Sequence, residues 1–371
     1  MLANEIERAQ RFVRTDAYQM SFGEVVTMYT EGDLIIDPDF QRLFRWNVGQ
    51  KSKLIESLLL GIPLPSIFVF EKEDGKWELV DGLQRISTIL EFMGVLRHPN
   101  SGFYPQSTLE ATKYLPSLYN AVWEVSEDIE TVSVADQKPL EKSLQLAIRR
   151  SRIGVEILKR PSDDQTKYDL FQRLNAGGTQ ANAQELRNCI ALMINSTYFR
   201  SVKDAADLPV FRDVVALGEE QVEKQRHIEL AMRFLVHTFV PYDGRLDVEE
   251  FIDEGVVKLA TVGDTALSFN MISRTFSLLN EIAGSNALRK FSNNQYIGKA
   301  VLAGLEGIAV GVAKNIDSIE ALGPQAAKDF VKNKMESFWS QPEVPNFTSL
   351  GLRGTVRIQR TVPFGENWFR P

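Results

Sequence analysis

Between residues 79 and 88 the chain reads "LVDGLQRIST", which sets a carboxylate, a glycine, an amide and an arginine close together as Asp81, Gly82, Gln84 and Arg85. The preceding "KWELV" is an apolar, strand-like run, and Ile86, Ile89 and Leu90 fall on one face of the helical pattern that follows. An arginine in a first helical turn opposes the helix dipole, at a cost of roughly 0.3–1 kcal/mol. The cost disappears where an anion sits at the same helix end, met by exposed N–H groups and by the guanidinium. The loop is therefore a candidate phosphate or carboxylate site. A plainer reading takes Asp81 as N-cap, Gln84 as its capping-box partner and Gly82 as a turn residue. It leaves Arg85 without an explanation.

Two further stretches carry chemistry of the same kind. "DPDFQRLFRW" places Gln41, Arg42 and Arg45 in a turn just before a helix, beside Phe44 and Trp46. Planar guanidinium groups match phosphate oxygens in pairs, so this turn is a second candidate phosphate grip, or else a solvated loop anchored by its aromatics. "FQRLNAGGTQANAQELR" sets Gly177 and Gly178 just past a helix end, where their ordinary work is a C-cap and turn. Asn175, Thr179, Glu185 and Arg187 make that link unusually polar.

The elements that must hold these loops alternate between strand and helix in the first half. Ser21 with Glu24 predicts a capped helix over "FGEVVTMYT", and "LIIDPDF" predicts a short extended segment. Asn47 caps "NVGQKSKLIESLLLG", whose buried face is Leu54, Ile55, Leu58 and Leu59 and whose end is Gly61. "PLPSIFVFE" and "KWELV" flank Asp74-Gly75 as a hairpin, and the helix after the loop ends at Gly94. Residues 95 to about 140 lack periodicity and suggest a long insertion or lid. "RIGVEIL" returns to strand, and Ser162 with Gln165 caps a helix over "DDQTKYDLFQRLN".

Beyond residue 182 nearly every segment has helical periodicity, as in "EKQRHIELAMRFLVHTF", "VEEFIDEGVVKLA" and "PQAAKDFVKNKMESFW". The expected class is α+β: a small mixed domain over 1–180 with an insertion at about 95–140, a helical domain over 181–345, and a tail over 346–371. That tail sets Arg353, Arg357, Arg360 and Arg370 among Phe364, Trp368 and Phe369. Such a mixture can hold single-stranded nucleic acid, although docking of a terminal strand or arm on the body is the plainer expectation.

Composition narrows the classes. The chain has 371 residues, 44% hydrophobic and 25% charged, as expected of an ordinary water-soluble protein with a substantial core. A formal net charge of -7 argues against a general nucleic-acid coat and permits a local basic groove. A lone cysteine, Cys189, excludes an internal disulfide and falls in an apolar helical pattern. The start is charged, and the best apolar run, "VLAGLEGIAVGVA", contains Glu306, so a cytoplasmic location without membrane partners is expected. His98, His227 and His237 are too scattered for a recognisable metal cluster.

Taken in order, "DFQRLFRW", "LLLGIPLPSIFVFE", "LVDGLQRISTILEF" and "FQRLNAGGTQANAQELR" resemble the N-terminal domain family of GmrSD-type restriction endonucleases, which includes SspE-like defence proteins. The resemblance spans about residues 20 to 190 and implies a ParB/sulfiredoxin-like fold that binds nucleotides or DNA through phosphate-gripping loops. It implies a nucleoside triphosphate site coupled to attack on modified or invading DNA. Carried over to this chain, the Asp-Gly-x-Gln-Arg loop falls on Asp81, Gly82, Gln84 and Arg85, and the Gln-Arg pair on Gln41 and Arg42. Leu83 stands where the family motif usually has glutamine, a departure that bears on hydrolysis more than on binding. Many relatives carry a histidine–asparagine–histidine nuclease domain, for which His227 and His237 offer no suitable setting.

The leading expectation is thus an NTP-binding and NTP-hydrolysing defence module whose nuclease is a separate partner. Asp81, Gln84 and Arg85 are its candidate catalytic residues; Gln41, Arg42, Arg45, Gly82 and Asn175 would hold the nucleotide, with Mg²⁺ reaching Asp81. The alternatives are an Mg²⁺-dependent DNA nickase drawing on scattered Asp39, Asp81 and Glu185, and a non-enzymatic DNA- or protein-binding adaptor.

Overall fold

The computed structural model describes residues 14–36, 46–98, 102–159, 183–349 and 351–371. The chain forms two compact units, Met1–Ala181 and Asn182–Pro371. The first is mixed α/β and the second mainly helical, as the patterning leads one to expect.

The first unit opens on β1 (Arg14–Ser21), which runs directly into α1 (Phe22–Glu31). Ser21 and Glu24 form the expected capping box: the Ser21 hydroxyl accepts from the Glu24 amide at 3.2 Å, and the Glu24 carboxylate accepts from the Ser21 amide at 2.8 Å. After β2 (Leu34–Ile35) comes α2 (Val48–Leu59), held by a second box between Asn47 and Gln50. β3 (Ile67–Glu71) and β4 (Trp77–Asp81) form the hairpin turned by Asp74-Gly75, and α3 (Leu83–Phe92) follows at once. The two-residue pair β5 (Ala121–Val122) and β6 (Lys138–Pro139), then α4 (Lys142–Arg150) and β7 (Arg152–Lys159), complete the unit.

These strands make a five-stranded mixed sheet in the order β1-β7-β3-β4-β2. β7 is parallel to β3 and β2 to β4, while the other neighbours are antiparallel. Central placement explains why β3 and β7 are nearly continuous apolar runs rather than alternating ones. Phe22, Ile55, Val69, Leu90, Phe92 and Leu158 are fully buried and form the core.

The insertion differs from a lid. Ser52 on α2 accepts the Glu110 amide at 2.9 Å, and the buried Glu56 carboxylate accepts the amides of Tyr114 and Leu115 at 3.0 and 3.1 Å as well as the Thr112 hydroxyl. Gln145 on α4 donates to the Trp123 carbonyl at 2.7 Å. Aperiodic sequence here signals irregular backbone whose hydrogen bonds are met by helix side chains.

The second unit begins with α5 (Ala183–Ala206), kinked at Asn195, followed by α6 (Pro209–Val215). The segment "EKQRHIELAMRFLVHTF" is α8 (Arg226–Phe239), set off from the short α7 (Glu219–Glu223) by Gln225, which takes a left-handed φ of 59°. α9 (Val248–Val262) and α10 (Thr265–Ala283) lead to a hairpin of β8 (Lys290–Ser292) and β9 (Gln295–Ile297). The apolar run that contains Glu306 is helical, starting at α11 (Leu302–Gly304), widening into a π turn over Leu305–Ala309 and continuing as α12 (Val310–Lys314). α13 (Ile316–Glu320), α14 (Pro324–Phe338), α15 (Pro345–Thr348) and α16 (Gly354–Trp368) finish the unit. No helix among the described residues is long and apolar enough to cross a membrane.

The expected basic-aromatic tail is α16, neither strand nor extended arm. Arg357 makes a bidentate pair with buried Glu306 at 2.8 Å for each bond, and Arg360 donates to the Asn346 carbonyl at 2.9 Å. The Trp368 indole donates to the Lys334 carbonyl at 3.0 Å, and Phe364 stacks on Trp368. A Cβ on Gly365 would strike the backbone of Gly307, so α16 and the π turn touch main chain to main chain. The residues read as a nucleic-acid tail are thus largely spent on packing.

Candidate functional site

The "DGLQR" loop lies where β4 ends and α3 begins. Asp81 stays in the ladder opposite Phe68, and Gly82, at φ 95°, is the N-cap of α3 with no side-chain cap bond. The expected Asp81–Gln84 capping box is therefore absent. Glycine is needed at this turn for two reasons: its backbone is left-handed, and a Cβ would run into Ile67 of β3.

The two side chains freed from capping have tertiary partners. Asp81 Oδ2 meets Arg85 Nη2 at 3.0 Å, and Arg85 Nη1 donates to the carbonyls of Pro65 and, at 3.2 Å, Ser66. The anion that offsets an arginine in the first turn is thus the chain's own Asp81, with carbonyls from the start of β3 completing the cage. Side-chain exposure is 14% for Arg85 and 27% for Asp81, so the pair is shielded but not sealed. Burial lowers the Arg85 pKa from its ordinary value, while Asp81 opposes that shift.

Gln84 reaches in another direction. Its Oε1 accepts the amide of Trp46 at 3.2 Å, and its carbonyl accepts the Thr88 hydroxyl at 2.7 Å. Trp46 directly precedes the Asn47 cap of α2, so this bond ties the first turns of α2 and α3 together. Lys51 on α2 and Glu91 on α3 reinforce the tie with an ion pair of 2.6 Å. Two helix N-termini, each with positive dipole ends, therefore lie side by side.

Nearby, the missing Cβ of Gly154 on β7 leaves room for the Ser66 hydroxyl, with the Gln19 amide from β1 alongside. Sequence patterning singled out neither Pro65, Ser66 nor Trp46 for this neighbourhood. The "PLPS" run before β3 was the available signal, since a segment rich in proline leaves carbonyls without ladder partners.

Gln41, Arg42, Arg45 and Asn175 lie outside the described residues, as do Asp39, the Gly177-Gly178 pair and the expected helix over "DDQTKYDLFQRLN". The side chains of Glu185 and Cys189 are likewise not described. Of the predicted site residues, the structure brings together Asp81, Gly82, Gln84 and Arg85.

Arg187 belongs to a different place. It is 2% exposed in the helical unit, where it pairs with Glu249 and Asp253 on α9, while Arg233 bridges Glu229 and Glu249. Burial alone would lower the Arg187 pKa; the adjoining Asp253 and Glu249 reverse this and raise it. Its role is a core clamp. The histidines are also structural in setting: His227 Nε2 lies 3.3 Å from Asp207 Oδ1, and His237 is buried beside Phe251. Among the described residues no group of three or more His, Cys, Asp or Glu side chains is placed to hold a metal ion.

Asp81 does not by itself make a protein-held magnesium site. One of its oxygens faces Arg85, and magnesium requires several oxygen ligands in near-octahedral array.

The mixed α/β unit carries a glycine-turned loop at paired helix N-termini, and its sequence points to a restriction or defence-system protein. Residues 22–192 match the family described as GmrSD restriction endonuclease, N-terminal domain. The N-terminal part of this chain belongs to that family, and the match runs on into the first turns of α5. No curated protein matches the chain.

Proposed function

We propose that the N-terminal unit binds a nucleoside triphosphate at the paired first turns of α2 and α3 and hydrolyses it on behalf of a DNA defence system. The observation that carries this reading is the Trp46–Gln84 bond. It fastens Trp46, which follows "DFQRLFR" in the chain, to the first turn of α3, whose exposed amides can meet an anion. Arg42 and Arg45 would supply the phosphate-neutralising charge, with Gln41 and Asn175 as further polar ligands.

The internal pairing of Arg85 changes the role expected for it. In this reading Arg85 braces Asp81 and the start of β3, while the α3 amides meet the phosphate. Gln84 would orient the attacking water, whose oxygen bonds to the terminal phosphorus as the bridging P–O bond breaks toward the diphosphate. The water's proton leaves to Asp81 or to solvent. Magnesium would arrive already bound to the triphosphate oxygens. The DNA-cleaving step belongs to a separate partner, because His227 and His237 are taken up in packing.

A second reading, a non-enzymatic adaptor whose loops only hold the fold, is favoured by one observation: Arg85 is satisfied by its own chain. Phosphate release from ATP, GTP, CTP and UTP, with and without Mg²⁺, separates the two. The expected result is turnover of at least one triphosphate that R42A and Q84A each abolish without loss of fold. Calorimetry showing no triphosphate binding would leave only the adaptor.

A further inference from the structure

The helical unit projects a short hairpin that the nucleotide reading does not use. β8 and β9 pair in register as Lys290 with Ile297, Phe291 with Tyr296 and Ser292 with Gln295. Their two-residue connection is Asn293-Asn294, with φ of 51° and 58°, the left-handed pair that a tight hairpin demands. Phe291 and Tyr296 meet ring to ring at 4.9 Å and are half-buried, whereas Lys290, Ser292, Asn293, Asn294, Gln295, Ile297 and Lys299 are exposed. Lys290, Phe291, Asn293 and Asn294 line one wall of an open cleft whose other wall, at the end of α14, carries Glu336 and Trp339.

Its charge is out of keeping with the chain. In a protein of net charge -7, no carboxylate occurs from Ile282 to Leu305, while Arg289, Lys290 and Lys299 all fall there. Among the described residues none of these three makes an ion pair, and Arg289 Nε is buried without a hydrogen-bond partner. Elsewhere in the same unit, Arg187, Arg233, Arg274 and Arg357 are each matched to carboxylates. Cations left unmatched at the base of a ribbon whose tip bears only amides suit a polyanion with hydrogen-bonding edges between its charges.

We infer that the β8–β9 hairpin is a duplex-DNA contact, with Asn293, Asn294 and Gln295 entering the major groove and Lys290 and Lys299 meeting the flanking phosphates. A two-stranded ribbon fits that groove, and asparagine or glutamine pairs with the N6 and N7 edge of adenine. Phosphate contacts fix the position of the ribbon and amides read the base. This contact stands apart from triphosphate binding, and its test uses no nucleotide.

The test is anisotropy of the full chain with short labelled duplexes, one containing adenine–thymine pairs and one wholly guanine–cytosine, across a salt series. The parent should bind duplex DNA at low salt, and K290S/K299S should reduce the salt slope by about two, one for each phosphate contact. N293G/N294G preserves the left-handed turn while removing both amides. It should keep the salt slope and lose a preference for the adenine-containing duplex of about fivefold or more. N293D/N294D also tolerates the turn and should abolish binding by repulsion, which guards against a glycine variant that fails to fold. No duplex binding, binding to single strands alone, capture of an acidic peptide instead, or variants that bind like the parent would each overturn the assignment.

Discussion

Arg85 shows how a residue chosen for one reason can be held for another. Its guanidinium gathers the end of β4, the start of β3 and the first turn of α3, so R85A should leave Asp81 and two carbonyls without their cation. Breaking such a shielded pair costs roughly 3 kcal/mol. The thermal midpoint should therefore fall in R85A and recover in part in R85K, whereas a residue serving only a ligand would leave it unchanged. His237 gives a second residue-scale prediction. Burial, aided by Arg233, Arg357 and Lys314, holds its pKa down to about 3, against 6.5 for the free side chain. Between those values the unfolded chain takes up a proton that the folded chain refuses, so stability falls as pH falls from 6.5 toward 3. The loss is about 1.4 kcal/mol per pH unit within that window. Urea midpoints measured from pH 6.5 to 5, above the ordinary carboxylate range, should show this slope in the parent and a flatter one in H237F.

At the scale of elements, α2 anchors the insertion through Glu56. Hydrogen bonds from Thr112, then Tyr114 and Leu115, hold its carboxyl pKa below the ordinary value, so the charged form is the one that grips. E56A should raise amide exchange across residues 112–115 and leave exchange in β3 and β7 untouched; equal change in both would mean general destabilisation. The same elements show what was legible in the sequence and why. Ser21 with Glu24 and Asn47 with Gln50 were readable because a capping box is closed within one turn. Asp81 with Gln84 matched the same pattern and failed, since Asp81 pairs instead with Arg85, itself held against Pro65 and Ser66, and Gln84 reaches Trp46. The strands, the hairpin turn and the helical second half followed from local pattern. The break at Gln225, the pinning of the insertion and the burial of Arg187 did not, because each depends on residues far away in the chain.

At the scale of the molecule, each unit has its own core, one around Phe22, Ile55 and Phe92 and the other around Phe211, Phe234 and Phe276. A fragment spanning 182–371 should therefore unfold cooperatively by itself, as calorimetry can check; a broad, non-cooperative trace would show that the helical unit depends on its neighbour. The full chain with Mg²⁺ or Mn²⁺ should leave plasmid DNA unlinearised, and cutting that EDTA abolishes would place the nuclease here rather than in a partner.

The π turn over Leu305–Ala309 has a consequence for phase. An extra residue in one turn advances every later side chain by about 100° around the axis, relative to a regular helix. The stretch is buried on all sides from Ala303 to Ala313, and an apolar stripe cannot be followed across such a slip. That is why these residues read as an apolar run containing an acid rather than as an amphipathic core helix. It also sets a mutational asymmetry: replacing one apolar side chain here removes a few contacts, but deleting a single residue re-times the helix. Deletion of Ala309 should turn Gly311 away from the Gly365 backbone it now touches and drive larger side chains into that crossing. The shortened chain should lose far more stability than A309G, and a thermal midpoint equal to that of A309G would show that the slip carries no structural weight.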